Sequence, residues 1–188
     1  MAARITRTLS RLHGVVFAIL FGVYNLTMDT IYIETTVIGN IAGRIYNDPS
    51  VASRQHITRE WWLTAPSKYR LFISQLTIDE CSAGDPIAAQ ERLSVVQNIP
   101  LLNESIEAEN LAILLIERLA VPASQPRDAL HIATAAVNGV IFIVTWNFKH
   151  ILNPHLQQKI SDTCYEAGYI PPVICTPEQL LEVENDDS

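Results

Sequence analysis

The sequence has few charged residues and few cysteines. Only 18% of its 188 residues are charged and 48% are hydrophobic, which excludes a disordered polyelectrolyte and fits one folded domain with a sizeable core. The three cysteines, Cys81, Cys164 and Cys175, contain no C-x-x-C spacing. We therefore expect buried, reduced thiols rather than a zinc ribbon or a disulfide framework.

Three ligand-binding motifs are also missing. Neither G-x-G-x-x-G nor G-x-x-x-x-G-K-[ST] occurs, and the pair Gly39 and Gly43 fits neither spacing. This disfavours a domain that binds a nucleotide cofactor through a glycine-rich loop. No D-x-D follows the first predicted strand, which disfavours a phosphatase with an aspartyl nucleophile.

Basic residues are scarce as well. Lys and Arg number 13 against 20 Asp and Glu, for a formal net charge of −7. This balance excludes a histone-like or arm-type protein that binds nucleic acid through bulk positive charge.

The first 27 residues differ from the rest of the chain. They contain three arginines and no acid, so residues 28–188 keep 10 bases against 20 acids, a net charge of −10. The uncharged run Gly14–Tyr24 is shorter than the roughly 20 residues of a membrane span, and no good cleavage site follows it. Three interpretations stay open: translation starts at Met28, the leader lies on a membrane surface, or it is an export signal. We expect residues 1–27 to lie outside the fold and the protein to be cytoplasmic.

Short apolar runs alternate with helical periodicity after the leader. Five runs rich in β-branched residues are predicted strands: Ile31–Ile33, Leu71–Ile73, Ile99–Leu102, Val140–Thr145 and Val173–Cys175. Because these runs are apolar on both faces and helices separate them, we predict one α/β domain over residues 28–181. It would be a three-layer α/β/α sandwich with a central parallel sheet of about five strands. An acidic tail, residues 182–188, would follow.

Polar residues lie just beyond the predicted strands. They come from four distant stretches: Glu34, Thr35 and Thr36 after the first strand, Asp79 and Glu80 after the second, Asp128 on the helix before the fourth, and Thr145, Trp146 and Asn147 after the fourth. Ligands of parallel sheets bind in the crevice beyond the carboxyl ends of the strands. We therefore expect these side chains to converge.

Carboxylates that converge in one crevice repel one another unless a proton or a cation is present. Mg²⁺ or Mn²⁺ suits a set of oxygen ligands, and such an ion activates water for attack on phosphorus. The acids Glu34, Glu80 and Asp128 therefore predict metal-dependent phosphodiester hydrolysis. Taken singly, each acid has a simpler interpretation as a solvated side chain or, for Asp128, a helix N-cap, so the shared placement carries the prediction.

Four stretches resemble the PIN-domain nucleases, especially the VapC-like toxins of bacterial toxin–antitoxin pairs. They are IYIETTVI at 31–38, FISQLTIDE at 72–80, RDALHIA at 127–133 and VTWNFKH at 144–150. RDALHIA is the most specific of them, and the resemblance extends over residues 29–181. It implies a PIN-like fold, a metal-dependent endoribonuclease that acts as a toxin, an RNA substrate, a cognate antitoxin and a homodimer. The apolar helices around 51–62 and 106–119 are the candidate dimer surfaces.

The resemblance also implies roles for individual residues. It makes Glu34, Glu80 and Asp128 the catalytic acids and adds Asn147 as a fourth metal ligand, with Thr36 and Thr145 in support. Two departures matter: the first acid is usually Asp, and the amide of Asn147 adds no charge. A site for two metal ions is therefore disfavoured. A PIN-fold RNA-binding or regulatory module with weak or no cleavage remains the alternative.

Five further side chains have less specific predictions. Trp146 and Lys149 are candidate RNA contacts, although core packing is the alternative for the tryptophan. Trp61 and Trp62 are adjacent, so only one of them can face the core. His131 lies one turn after Asp128 and is predicted to pack or hydrogen-bond rather than to carry protons.

Overall fold

The computed structural model describes the backbone of residues 28–186 and the side chains as far as Leu181. The leader, residues 1–27, lies outside this range, so its three interpretations stay predictions. Within the described range, none of the helices combines the length and the apolar character that crossing a membrane requires.

Four parallel strands form one sheet. They are β1 (Thr30–Ile33), β2 (Arg70–Phe72), β3 (Phe142–Val144) and β4 (Val173–Cys175), in the order β2-β1-β3-β4. The predicted α/β class with a parallel sheet is confirmed.

The predicted strand at Ile99–Leu102 is wrong. Only an isolated parallel bridge forms there, between Leu101 and Ile73. The Leu102 N–H donates to the Ile73 carbonyl at 2.7 Å, and the Ile73 N–H donates to the Pro100 carbonyl at 3.1 Å. The next bond of such a ladder would need an N–H at Pro100, which proline lacks. The described sheet therefore has four strands instead of about five.

Eight helices surround the sheet in the described part of the chain. They are α1 (Thr35–Ala42), α2 (Pro49–Lys68), α3 (Gln75–Cys81), α4 (Pro86–Val96), α5 (Ile106–Glu117), α6 (Pro126–Val137), α7 (Pro154–Glu166) and α8 (Pro177–Asp186). The last of them includes residues 182–186 of the predicted acidic tail. Proline at the first helical position begins five of these helices, where its missing N–H costs no helical bond.

Hydrophobic cores lie on both faces of the sheet. Tyr32 and Ile143 pack with α5, α6 and α7 on one face, whereas Ile33 and Val144 pack with α1, α2 and α8 on the other. Successive side chains of a strand point to opposite faces, so strands that are apolar throughout need helices on both sides. The arrangement is consistent with three layers. The three cysteines are buried and free, as predicted.

The chain order places a crevice at the end of β1. The chain passes from β1 to β2 on one side and then returns to β3 on the other side of β1. Connections that leave in opposite directions open a crevice at the carboxyl ends of two neighbouring strands. Glu34 reaches this edge because its backbone N–H continues the ladder, donating to the Val144 carbonyl at 3.1 Å.

Candidate metal centre

Two of the predicted acids meet a histidine beyond the end of β1. The ligand atoms of Glu34, Glu80 and His131 all lie within 4.8 Å of one another. Glu34 follows β1, Glu80 lies on α3 and His131 lies on α6. Glu34 is 4% exposed and His131 is 1% exposed, so the cluster faces the interior more than the solvent. This group of residue types can hold a metal ion.

Glu34 is anchored through one carboxylate oxygen. Its Oε2 accepts hydrogen bonds from the Thr36 N–H at 3.1 Å, the Thr36 hydroxyl at 2.5 Å and the Thr145 hydroxyl at 2.7 Å. The first of these bonds caps the N-terminus of α1. Among residues 28–186, no hydrogen bond reaches Oε1. Thr36 and Thr145 therefore stand where supporting hydroxyls were predicted, and Oε1 is left for a ligand.

Glu80 is held by three partners. Its Oε2 accepts from the Thr35 hydroxyl at 2.5 Å and lies 3.1 Å from His131 Nε2, whereas Oε1 is 3.7 Å from the Arg127 guanidinium. Burial raises the pKa of Glu80, but the hydrogen bonds from His131 and Thr35 outweigh it, so the net pKa is lowered. The carboxyl is thus ionised at neutral pH, as metal ligation requires.

Asp128 has an orphaned oxygen. Its Oδ1 accepts from Asn147 Nδ2 at 3.1 Å, but Oδ2 is buried without a hydrogen-bond partner. Burial, the largest effect, raises the pKa of Asp128. The alternative role as an N-cap does not hold, because Gln125 occupies that position of α6. Asp128 is outside the 4.8 Å group, yet the charges of Glu80 and His131 both act on its pKa. A cation would satisfy the orphaned oxygen.

Asn147, the predicted fourth metal ligand, forms hydrogen bonds through both ends of its amide group. Its Oδ1 accepts the His150 N–H at 3.1 Å, and its Nδ2 donates to Asp128. The turn after β3 therefore engages the amide oxygen that a metal ion would need. Asn147 therefore positions Asp128, and its amide oxygen keeps one lone pair for a metal ion.

Glu80 and Asp128 are expected to titrate on opposite sides of their ordinary values in the metal-free protein. Because the pKa of Glu80 is lowered in the folded protein, its ionised carboxyl stabilises the fold at pH values above its unfolded-state pKa. This stabilisation is lost as the pH falls through the folded-state pKa. The raised pKa of Asp128 has the opposite effect: its ionised carboxyl destabilises the fold, and that stability is regained as the pH falls through its folded-state pKa. Carboxyl ¹³C NMR would follow both groups. An Asp128 that titrates at or below the ordinary aspartate value would contradict this assignment.

The structure does not leave the Trp146 ring free to stack on RNA. Trp146 is 7% exposed, and its indole N–H donates to the Thr58 hydroxyl at 2.8 Å. The core alternative is therefore the correct one for this residue. Trp61 is fully buried and Trp62 only partly, as their adjacency predicted.

An exposed ring that the sequence analysis missed lies next to Trp146. Phe148 is 45% exposed, with its ring centroid 5.8 Å from that of Trp146. The Arg54 guanidinium lies 5.3 Å from the Phe148 ring. Phe148 is an aromatic residue two positions after Trp146, which was a visible signal in the sequence. The contact with Arg54 on α2 could not be predicted from spacing. Lys149 is exposed, as an RNA contact would require.

A cleft of about 950 Å³ opens beside the cluster. Thr36, which bonds Glu34, is one of its lining residues. Basic and acidic side chains both line it, among them Arg44, Arg92 and Glu91. The candidate ligands Glu34, Glu80 and Asp128 do not line this cleft, so Thr36 alone connects it to them.

The chain matches no protein-family model and no curated protein.

Proposed function

We propose that this protein is an endoribonuclease with a three-layer PIN-like fold that depends on Mg²⁺ or Mn²⁺. Two observations carry the proposal: ligand atoms of Glu34 and Glu80 lie within 4.8 Å of each other beyond β1, and Asp128, whose pKa burial and the charge of Glu80 raise, has a buried oxygen without a partner. Acids brought together from three distant stretches, at the crevice where open parallel sheets bind ligands, favour a cation-dependent site.

The side chains present fit a hard divalent cation. Glu34 Oε1 and Asp128 Oδ2 are carboxylate oxygens without donors among the described residues, and Glu80 is ionised at neutral pH. These three would hold the ion. When bound, such an ion supplies an activated water and stabilises negative charge on the phosphate.

The remaining polar side chains hold the acids in place. Thr36 and Thr145 fix Glu34, Thr35 and His131 fix Glu80, and Asn147 fixes Asp128. Preorganised ligands lower the cost of assembling the site around a phosphodiester.

The RNA contacts of the proposal are few. Lys149 and the exposed Arg127 offer positive charge near the acids, and Phe148 offers a ring. Since the domain is acidic, RNA would be recognised through the metal and through shape rather than through bulk charge.

The proposal also includes a biological setting. The protein would be the cytoplasmic toxin of a type II pair, with a cognate antitoxin and a homodimeric state. Ile106 and Ile113 on α5 are 61% and 55% exposed and offer an apolar surface for a second copy. Light scattering coupled to gel filtration should give the mass of a dimer. A short neighbouring reading frame for a DNA-binding antitoxin would support the toxin role.

Cleavage of a panel of transfer and structured RNAs is expected to require Mg²⁺ or Mn²⁺ and to cease with EDTA. Asp128→Asn and Glu80→Gln should each reduce the rate about 100-fold or more, because each removes a charge from the ion while keeping the side chain's shape. Asp79→Asn is the matched control, since Asp79 is exposed, adjacent to Glu80 and bonded only to Gln75. Metal-dependent cleavage that survives both site substitutions would refute the site.

The second candidate function is a PIN-fold RNA-binding or regulatory module. The hydrogen bond from the His150 N–H to the amide oxygen of Asn147 favours it, because one lone pair of that oxygen is already occupied and the amide adds no charge to the three acids. A wild-type protein that binds Mn²⁺ and RNA but cuts no RNA of the panel would establish this alternative.

A further inference from the structure

A buried chain of hydrogen bonds connects the core to Glu80. Tyr32 Oη lies 2.6 Å from His131 Nδ1, and His131 Nε2 lies 3.1 Å from Glu80 Oε2. Tyr32 is fully buried and His131 is 1% exposed. Both ring nitrogens of His131 therefore have a partner, and neither partner is water.

The hydroxyl groups around Tyr32 indicate in which direction the hydrogen bonds of this series are donated. Its Oη lies 2.7 Å from the Ser74 hydroxyl and 3.1 Å from the Thr77 hydroxyl. Each of these hydroxyls already accepts a backbone N–H in the capping box that begins α3, so its proton can point to Tyr32. The two hydroxyls also lie 3.3 Å from each other. Where both of them donate to Oη, its lone pairs are occupied and the Tyr32 proton is directed to His131 Nδ1.

A histidine that accepts at Nδ1 carries its proton on Nε2. That proton then points to the carboxylate of Glu80, which also accepts the Thr35 hydroxyl on the same oxygen. A protonated Nε2 has no lone pair for a metal ion, so its closeness to Glu34 and Glu80 does not make it a ligand.

We propose that His131 is a positioning residue for Glu80, held as the Nε2–H tautomer by Tyr32, and that the cation is bound through oxygen atoms alone. This inference rests on the proposed function and specifies its metal site. An all-oxygen set suits Mg²⁺ and Mn²⁺, whereas an imidazole ligand would shift preference toward Zn²⁺ and similar ions.

Pulsed electron paramagnetic resonance of the full chain loaded with Mn²⁺ tests ligation directly. In protein labelled with ¹⁵N-histidine, we expect no coupling from a directly bound histidine nitrogen. Such a coupling in the wild-type protein would overturn the inference.

Two substitutions test the positioning role. His131→Gln can replace the Nε2 donor to Glu80, whereas His131→Asn can replace only the Nδ1 contact with Tyr32. Hydrogen bonds to ligating carboxylates are worth about 10–100-fold in metal affinity. We expect His131→Asn to weaken Mn²⁺ binding by about that factor and His131→Gln to lose clearly less. A His131→Asn protein with wild-type Mn²⁺ affinity would refute the positioning role.

Two controls distinguish a loss of Mn²⁺ affinity from a loss of folding and from a loss of RNA cleavage. Circular dichroism melting checks that each variant is folded. Tyr32→Phe removes only the hydroxyl oxygen that contacts His131, and it should weaken Mn²⁺ binding as His131→Asn does. Affinity and spectrum are measured without RNA. A protein that binds Mn²⁺ as expected but does not cleave RNA would refute the nuclease function alone, and one that binds no Mn²⁺ would refute both.

Discussion

Glu34→Gln is expected to reduce metal-dependent RNA cleavage by about 10²- to 10⁴-fold. Metal ions contribute several kcal/mol of transition-state stabilisation, and each 1.36 kcal/mol is tenfold in rate. The glutamine carbonyl can still accept from Thr36 and Thr145, so the fold around β1 is retained while the charge is lost. Cleavage kinetics at saturating Mn²⁺, together with Mn²⁺ titration calorimetry, would measure both effects.

Glu34→Asp provides the matched comparison. It keeps the charge and restores the acid that is usual in PIN-like domains, but its shorter arm cannot reach Thr36, Thr145 and the ion in the same way. We expect activity between those of the wild type and Glu34→Gln. If Glu34→Gln and the control Asp79→Asn both cleave RNA as fast as the wild type, Glu34 is not part of the site.

Trp146→Ala is expected to lower the free energy of unfolding by about 3–5 kcal/mol, the usual cost of removing a buried tryptophan. The substitution empties a core position and also removes the indole donor to Thr58. RNA affinity of the folded fraction should stay unchanged, because the ring does not face the solvent. Urea denaturation would give the loss of stability, and fluorescence anisotropy with a non-cleavable 2′-O-methyl RNA in the presence of Mn²⁺ would give the affinity.

Phe148→Ala is the control at the neighbouring exposed ring. Because Phe148 is 45% exposed, its removal should cost far less stability than that of Trp146. If a base stacks on it, RNA binding should weaken by about 1–3 kcal/mol. A stable Trp146→Ala variant with weakened RNA binding would reverse the assignment of these two rings.

The strand pattern shows how far local sequence reaches. Ile31–Ile33 and Val173–Cys175 are strands as predicted, because an apolar, β-branched run has few other places to lie in a small α/β domain. Ile99–Leu102 has the same local signal, but it lies where only Leu101 can pair and Pro100 blocks the next bond. Whether an apolar run finds a neighbouring strand to pair with cannot be read from the run itself.

The candidate site also combines features that the sequence predicted with features that it did not. Glu34 and Glu80 were expected to converge because both follow strands of one parallel sheet, and the structure brings their carboxylates together. The membership of His131 and the buried position of Trp146 were not predictable from spacing. His131 and Tyr32 are 99 residues apart, and Trp146 and Thr58 are 88 apart.

The sequence by itself determined the α/β class, the parallel strands and the acids at their carboxyl ends. Hydrophobic periodicity is a local property, and it assigns each run to a buried strand or to a helix face. Only the tertiary structure decided which oxygen of Glu34 is anchored, that Asp128 keeps an orphaned oxygen, and which groups face the two ring nitrogens of His131. Those outcomes depend on hydrogen-bond partners within about 3 Å, and such partners come from segments that meet only after the sheet has formed.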